Sequence, residues 1–76
     1  MEEIYDKKYI VGINHDGKEV FYNRVDGDDV EFVGIRSKAH HFDKKDAESF
    51  KVFLNDKGYD AWVETFYVLK EELKIN

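Results

Sequence analysis

The sequence predicts a small α+β domain in which three strands are followed by one helix and a fourth strand, β-β-β-α-β. Two Asp-Gly turn signals, Asp16-Gly17 and Asp26-Gly27, separate segments in which apolar and polar residues alternate, a pattern typical of antiparallel hairpins. Apolar residues then recur at helical spacing from Ala47 to Leu54. The last long segment is rich in the β-branched and aromatic residues that favour strands.

Length and composition indicate one domain without covalent cross-links. The 76 residues include no cysteine, are 42% hydrophobic and 16% aromatic, and carry a formal net charge of -5. A chain of this size buries only about 60% of the surface that its unfolded form exposes. Area buried against a second copy or a partner therefore adds disproportionately to stability. We predict a single domain over residues 1–76 with an ordered core at about residues 8–69, and a homodimer is a reasonable expectation.

The first three strands are predicted to form an antiparallel meander. In the first strand, Tyr9, Val11 and Ile13 share one side of the sheet. Gly34 in the third strand predicts a β-bulge or a close approach of another backbone. The three strands are predicted over residues 8–14, 19–25 and 30–36.

The helix is predicted to begin at Lys44. Asp43 is placed to accept hydrogen bonds from the first-turn amides, and Phe42 with Ala47 has the spacing of a hydrophobic staple. Gly58 is predicted to end the helix, because glycine readily adopts the left-handed conformation found there. The apolar stripe consists of Ala47, Phe50, Phe53 and Leu54.

The fourth strand, predicted over residues 59–69, is apolar on both faces. Because consecutive strand residues point to opposite sides, one set is Ala61, Val63, Thr65, Tyr67 and Leu69, and the other is Trp62, Glu64, Phe66 and Val68. One short helix covers one face of the sheet, so the other face is expected to lie in solvent. The set with smaller side chains is the better match for the helix, and an exposed aromatic patch indicates a binding or dimer surface.

We therefore predict a protein-binding surface with two components. Its apolar anchors are Trp62, Phe66, Tyr22 and Val68, and its acidic rim is Asp26, Asp28, Asp29 and Glu31. If the acids dominate, binding weakens steeply as salt is added; if the aromatic residues dominate, binding hardly changes.

No motif in the chain identifies a reaction, so we predict no enzyme, no catalytic residues, no cofactor and no metal site. The histidines are His15, His40 and His41; the adjacent pair diverges in an extended segment, whereas metal ligands must converge. The acidic turn that begins at Asp26 lacks the spacing of an EF-hand loop. No Gly-rich phosphate loop or nucleophile elbow is present.

Charge and hydropathy restrict the partners further. The acidic balance and the lack of a Lys/Arg-rich run disfavour direct nucleic-acid binding, which depends on phosphate neutralisation. A weak DNA mimic is an alternative, although 12 basic residues among 17 acidic ones reduce its field. There is no signal-peptide pattern at the start and no apolar run of roughly 18–20 residues. We expect a cytoplasmic protein without a membrane partner.

The segment from Ser37 to Phe50 (SKAHHFDKKDAESF), followed by Gly58 and the strand from Tyr59, resembles a pattern found in short bacteriophage and prophage proteins. In that pattern a strand leads to an Ala-x-x-Phe step, a capped helix with an early alanine, and a closing strand. The resemblance covers the C-terminal half of the chain. It implies a small phage-encoded protein of the host cytoplasm that binds and inhibits or redirects a host protein, including anti-defence functions.

The combined prediction is a small acidic, non-enzymatic protein that binds and modulates a host protein. Two alternatives remain open: a structural homodimer that packs sheet face to sheet face, and the weak DNA mimic.

Overall fold

The computed structural model describes residues 4–69. It confirms the predicted α+β order: four antiparallel strands form one sheet in the order β3-β2-β1-β4, and the helix packs against β1 and β4. The elements are β1 (Tyr5–His15), β2 (Lys18–Asp26), β3 (Asp29–Val33), a 3₁₀ turn (Arg36–Lys38), α1 (Lys44–Asp56) and β4 (Ala61–Leu69).

Both Asp-Gly sites form the predicted reversals. Asp16 and Gly17 have φ angles of 52° and 80°, in the left-handed region that tight hairpin turns require. The side-chain oxygen of Asn14 accepts a hydrogen bond from the Gly17 N–H at 3.1 Å. The second turn uses Gly27 with a φ of 64°.

Strand bounds differ from the prediction where pairing is long-range. β1 begins at Tyr5 because its first residues pair with the end of β4, Tyr5 opposite Leu69. β3 ends early, at Val33, because the chain then leaves the sheet for the 3₁₀ turn. The irregularity predicted at Gly34 lies instead in β2, where the register shifts between Tyr22 and Arg24.

The helix follows its predicted signals. Asp43 caps it by accepting a hydrogen bond from the Asp46 N–H at 3.0 Å, and Gly58, with a φ of 98°, follows its last residues. Ala47 and Leu54 are fully buried, whereas Phe53 is 44% exposed. The Phe53 ring therefore lies at the margin of the core and not within it.

The helix covers the smaller set of β4 side chains, as expected. Ala61 and Val63 pack into the cluster that also contains Val11, Ile13 and Leu54. The same face continues beyond the helix at the end of β4, where Tyr67 is 60% exposed.

The prediction of an uncovered opposite face is wrong for its central part. Ile10 and Phe21 are almost completely buried on that side, and Ala39 packs against them. The guanidinium of Arg36 lies 4.6 Å from the centre of the Phe21 ring. The connection between β3 and α1 lies across this face and covers it.

The same connection then reaches the helix side by entering the sheet between β1 and β2. The His40 N–H donates to the Tyr22 carbonyl at 2.9 Å, and Phe42 exchanges two backbone hydrogen bonds with Tyr9 at 2.8 and 3.0 Å. On the helix side Phe42 stacks on Tyr22 and on Phe50. The connection thus contributes to both layers of the core.

Candidate protein-binding groove

An apolar groove lies on the helix side of β2 and β3, beside the half of the sheet that α1 covers. Its volume is about 350 Å³, within the range of about 300–1,000 Å³ typical of ligand-binding clefts. The lining residues are Ile13, His15, Val20, Val30, Phe32 and Tyr59.

The wall opposite β3 is formed by Tyr59, immediately after the helix. The Tyr59 N–H donates to the Leu54 carbonyl at 3.1 Å, which holds the start of this segment against the last turn of α1. The Tyr59 and Phe32 rings lie 5.5 Å apart, centre to centre. Val20 and Ile13, a cross-strand pair of β2 and β1, contribute to the floor.

A β-bulge in β2 adds an apolar residue to this side. Tyr22 pairs with Phe32, but the next pairs are Arg24 with Glu31 and Val25 with Val30, so β2 contains one extra residue at Asn23. The extra residue reverses the alternation of side chains. Val25, which is 52% exposed, therefore shares the groove side with its partner Val30.

Three carboxylates flank this end of the groove. Asp26 and Asp29 form the pair that closes the β2–β3 hairpin, directly after the Val25 and Val30 pair, and Asp28 lies in the turn between them. All three are exposed. Among the ion pairs formed by residues 4–69, none involves these three acids, so their charge faces solvent next to the apolar lining.

Five of the eight predicted site residues lie away from the groove and its acidic turn; they are Tyr22, Glu31, Trp62, Phe66 and Val68. Tyr22 is buried on the helix side, where its ring lies 4.2 Å from that of Phe50. It cannot form one surface with Trp62 and Phe66, because those residues have the opposite parity in the sheet. Glu31 is also separated from the acidic turn, since its side chain points to the other face and accepts a hydrogen bond from Arg24 at 2.8 Å.

Trp62 belongs to a polar network on the opposite face. Its indole N–H donates to a Glu64 carboxylate oxygen at 3.0 Å. Arg36 donates twice to Glu64, at 2.7 and 3.1 Å, and once to Glu19, at 3.2 Å. The hydrogen bond from Arg36 lowers the pKa of Glu64 below its ordinary value, against the opposing effect of partial burial.

This network makes the opposite face a covered surface and not an open aromatic patch. The Trp62 ring meets Phe21 edge to face, with ring centres 6.5 Å apart. Phe66 and Val68 are half-buried, and the His41 ring lies 5.3 Å from that of Phe66. Three of the predicted anchors, Trp62, Phe66 and Val68, thus share one face of β4. The residues at the centre of that face of the sheet, Ile10 and Phe21, are already covered by the chain itself.

The histidines do not converge. The His40 ring lies 5.7 Å from Tyr22 on the helix side, His41 contacts Phe66 on the other side, and His15 lines the groove. Within the described part of the chain, no three His, Cys, Asp or Glu residues are grouped to hold a metal ion. In the same range, no helix is long and apolar enough to span a bilayer.

The groove residues were not predicted as a site, although one signal was present. The apolar run Val20-Phe21-Tyr22 is broken by two consecutive polar residues, Asn23 and Arg24, before Val25. Such a break is the sequence pattern of a bulge that re-aims a side chain.

Comparisons with protein-family models, curated proteins and solved structures found no match to this chain.

Proposed function

We propose that this chain is a non-enzymatic protein-binding module whose groove on β2 and β3 receives apolar side chains from a partner segment rich in Lys and Arg. In the bacteriophage context implied by the sequence resemblance, the partner is a host protein that is inhibited or redirected. The observation that carries the proposal is the position of an open apolar groove beside an unpaired acidic turn.

The lining favours binding over chemistry. Five of the six lining side chains are aliphatic or aromatic, and His15 supplies the sixth. Three of the lining residues, Val20, Val30 and Phe32, are half-buried. Each Å² of their apolar surface that a ligand removes from water contributes about 25 cal/mol to the free energy of binding. Such a groove anchors a few apolar side chains in the way that the centre of a protein interface does.

The charge distribution favours a partner segment with positive charge. The turn places Asp26, Asp28 and Asp29 at one end of the groove, and Asp16 lies beside His15 at the other. With a net charge of -5, the chain attracts basic segments and repels acidic ones. Complementary charge of this kind raises the association rate. Added salt screens the attraction and so weakens this effect.

The two alternatives have less support. A homodimer that packs sheet face to sheet face requires an open opposite face, but Ile10 and Phe21 are already buried there beneath Ala39 and Arg36. A DNA mimic requires a regular array of free carboxylates, whereas Glu19 and Glu64 both pair with Arg36.

Amide chemical shifts during a peptide titration test the proposal. The probes are two synthetic peptides with the same Leu and Phe residues, one flanked by Lys and Arg and the other by Glu. We expect the basic peptide to shift the amides of Val20, Val30 and Phe32, with a Kd that rises as salt is added, and the acidic peptide to have little effect. Equal binding of both peptides, or shifts centred on Trp62 and Phe66, would contradict the proposal.

Matched variants separate the two components of binding. Asp29→Lys should weaken binding of the basic peptide. Asp6→Lys, the same change at the far end of β1, should leave that binding unchanged. Val30→Ser, which removes an apolar side chain from the lining, should weaken the apolar component of binding, whereas Ile35→Ser, at an exposed residue outside the lining, should leave the Kd unchanged. Equal effects within either pair would overturn the assignment of the groove.

A further inference from the structure

In the sheet formed by residues 4–69, β4 is an edge strand without the features that usually protect one. It is nine residues long, Ala61–Leu69, and its sequence AWVETFYVL contains no proline, glycine or lysine. The other edge, β3, has only five residues, Asp29–Val33. Native edge strands are commonly blunted by short length, bulges, lysine or proline, because an open edge pairs readily with another strand.

The hydrogen-bonding direction of each β4 residue follows from its pairing with β1. The Asn14 N–H donates to the Asp60 carbonyl at 3.4 Å, in register with the β1–β4 ladder. Backbone groups alternate in direction along an antiparallel strand, so even-numbered residues face β1 and odd-numbered residues face the free edge. At the start of the edge, the Ala61 N–H already donates to the side-chain oxygen of Asn55 at 2.8 Å.

We propose that two copies of this chain associate through their β4 edges as antiparallel strands, with the two-fold axis at Thr65. This register places the outward backbone groups of Thr65, Val63 and Tyr67 opposite those of the second copy. It also leaves the pairing with β1 unchanged. The cross-strand pairs are Thr65 with Thr65, Val63 with Tyr67, Ala61 with Leu69, Trp62 with Val68, and Glu64 with Phe66.

The two residues within most of these cross-strand pairs are complementary. Three of them are apolar on both sides, and Thr65 with Thr65 is a favourable cross-strand combination. No like charges meet, and the only acid, Glu64, is held by Arg36 within its own copy. A sheet of eight strands would result, with both helices on the same side.

The arrangement also covers side chains that the single chain leaves in water. Tyr67 and Leu69 are 60% and 57% exposed, on the helix side of the sheet but past the helix. In the proposed register they lie beside Val63 and Ala61 of the second copy, which its helix covers. The uncovered end of each β4 thus meets the covered end of the other.

The oligomeric state tests this inference separately from the groove. Sedimentation of wild type at about 10–200 µM should give a mass of twice 9.0 kDa, with dissociation on dilution. Leu69→Lys should weaken the dimer by about tenfold or more, as a desolvated charge opposes a strand edge. Val25→Lys, at a residue of similar exposure in β2, which is not adjacent to β4 in the sheet, should retain the wild-type mass.

A single cysteine tests the register. The chain has no cysteine, and in hydrogen-bonded antiparallel pairs the Cα atoms lie about 5.5 Å apart. Thr65→Cys should therefore join two copies with a short bis-maleimide, whereas Lys18→Cys, exposed in the first hairpin, should not. A monomer at about 200 µM, a dimer unaffected by Leu69→Lys, or equal cross-linking at both positions would overturn the inference. None of these results bears on peptide binding in the groove.

Discussion

Gly12 is the position at which one added carbon tests the packing of the covered face most directly. It lies in β1 between Phe21 of β2 and Trp62 of β4. A Cβ at Gly12 would lie 2.8 Å from two atoms of the Trp62 ring and 3.0 Å from the Phe21 ring. Gly12→Ala therefore forces at least one of these aromatic rings to move.

The magnitude follows from the contacts. Carbon atoms pack at about 3.5–4.0 Å, so the Trp62 contact at 2.8 Å is about 0.7 Å too short. Overpacking of this kind costs about 1–3 kcal/mol, and alanine recovers about 0.5–1 kcal/mol relative to glycine within a strand. At the midpoints of these ranges we expect a net loss of about 1 kcal/mol in the free energy of unfolding, which corresponds to a Tm lower by roughly 4–8 °C.

The moving group is expected to be Trp62. Phe21 is buried with Arg36 above it, whereas Trp62 is only half-buried and lies on an edge strand. Its displacement breaks the hydrogen bond from the indole N–H to Glu64 and exposes the ring to water. Because the chain contains one tryptophan, its fluorescence emission should shift to longer wavelength in the folded state.

Urea unfolding followed by circular dichroism and by tryptophan emission measures both effects. Gly34→Ala is the matched control, because an added Cβ there meets no atom within 4 Å, and it should be neutral or slightly stabilising. If Gly12→Ala were as stable as Gly34→Ala, with an unshifted emission maximum, the close approach of Trp62 to β1 would be refuted.

Two further predictions concern carboxylates. Because Arg36 holds the folded-state pKa of Glu64 below the ordinary value of 4.5, the contribution of Glu64 is full at neutral pH and is lost as the pH falls through the folded-state pKa. The loss of stability between pH 7 and about pH 3 should therefore be smaller in Glu64→Gln and in Arg36→Gln than in wild type; urea midpoints at both pH values check this, and equal losses would contradict it. Asp43→Ala should lower the free energy of unfolding by about 1 kcal/mol, because a first-turn N–H of α1 loses its acceptor. Thermal unfolding followed by circular dichroism measures the change, with Asp56→Ala at the other end of the helix as the control, and equal effects would argue against the cap.

Local signals determined much of the fold. The two Asp-Gly turns, the Asp43 cap and the Gly58 stop are correct because each depends on a few neighbouring residues. The side-chain parity of β4 is likewise a property of the strand itself, so the sorting of Val63 and Trp62 to opposite faces is correct.

The arrangement of the predicted surface was less accessible to sequence reasoning, because it depends on how distant segments meet. The turn at Asp28 is exposed, but Val30 and Phe32 lie beside it on the groove side, whereas Trp62 and Phe66 lie on the opposite face. Alternation predicts which residues share a face, but it does not predict what covers that face. The bulge at Asn23 further reversed the parity of the end of β2.

The sequence by itself thus determined the order of elements, the turn positions, the helix bounds and the apolar character of both strand faces. Only the tertiary structure decided which face is closed, because closure depends on the path of residues 34–41 across the sheet and between β1 and β2. That path is set by packing of Ala39 on one face and Phe42 on the other. These contacts include Phe21 and Tyr22, which are more than fifteen positions away in the chain. Within residues 4–69, the groove beside the helix and the outer edge of β4 consequently remain open.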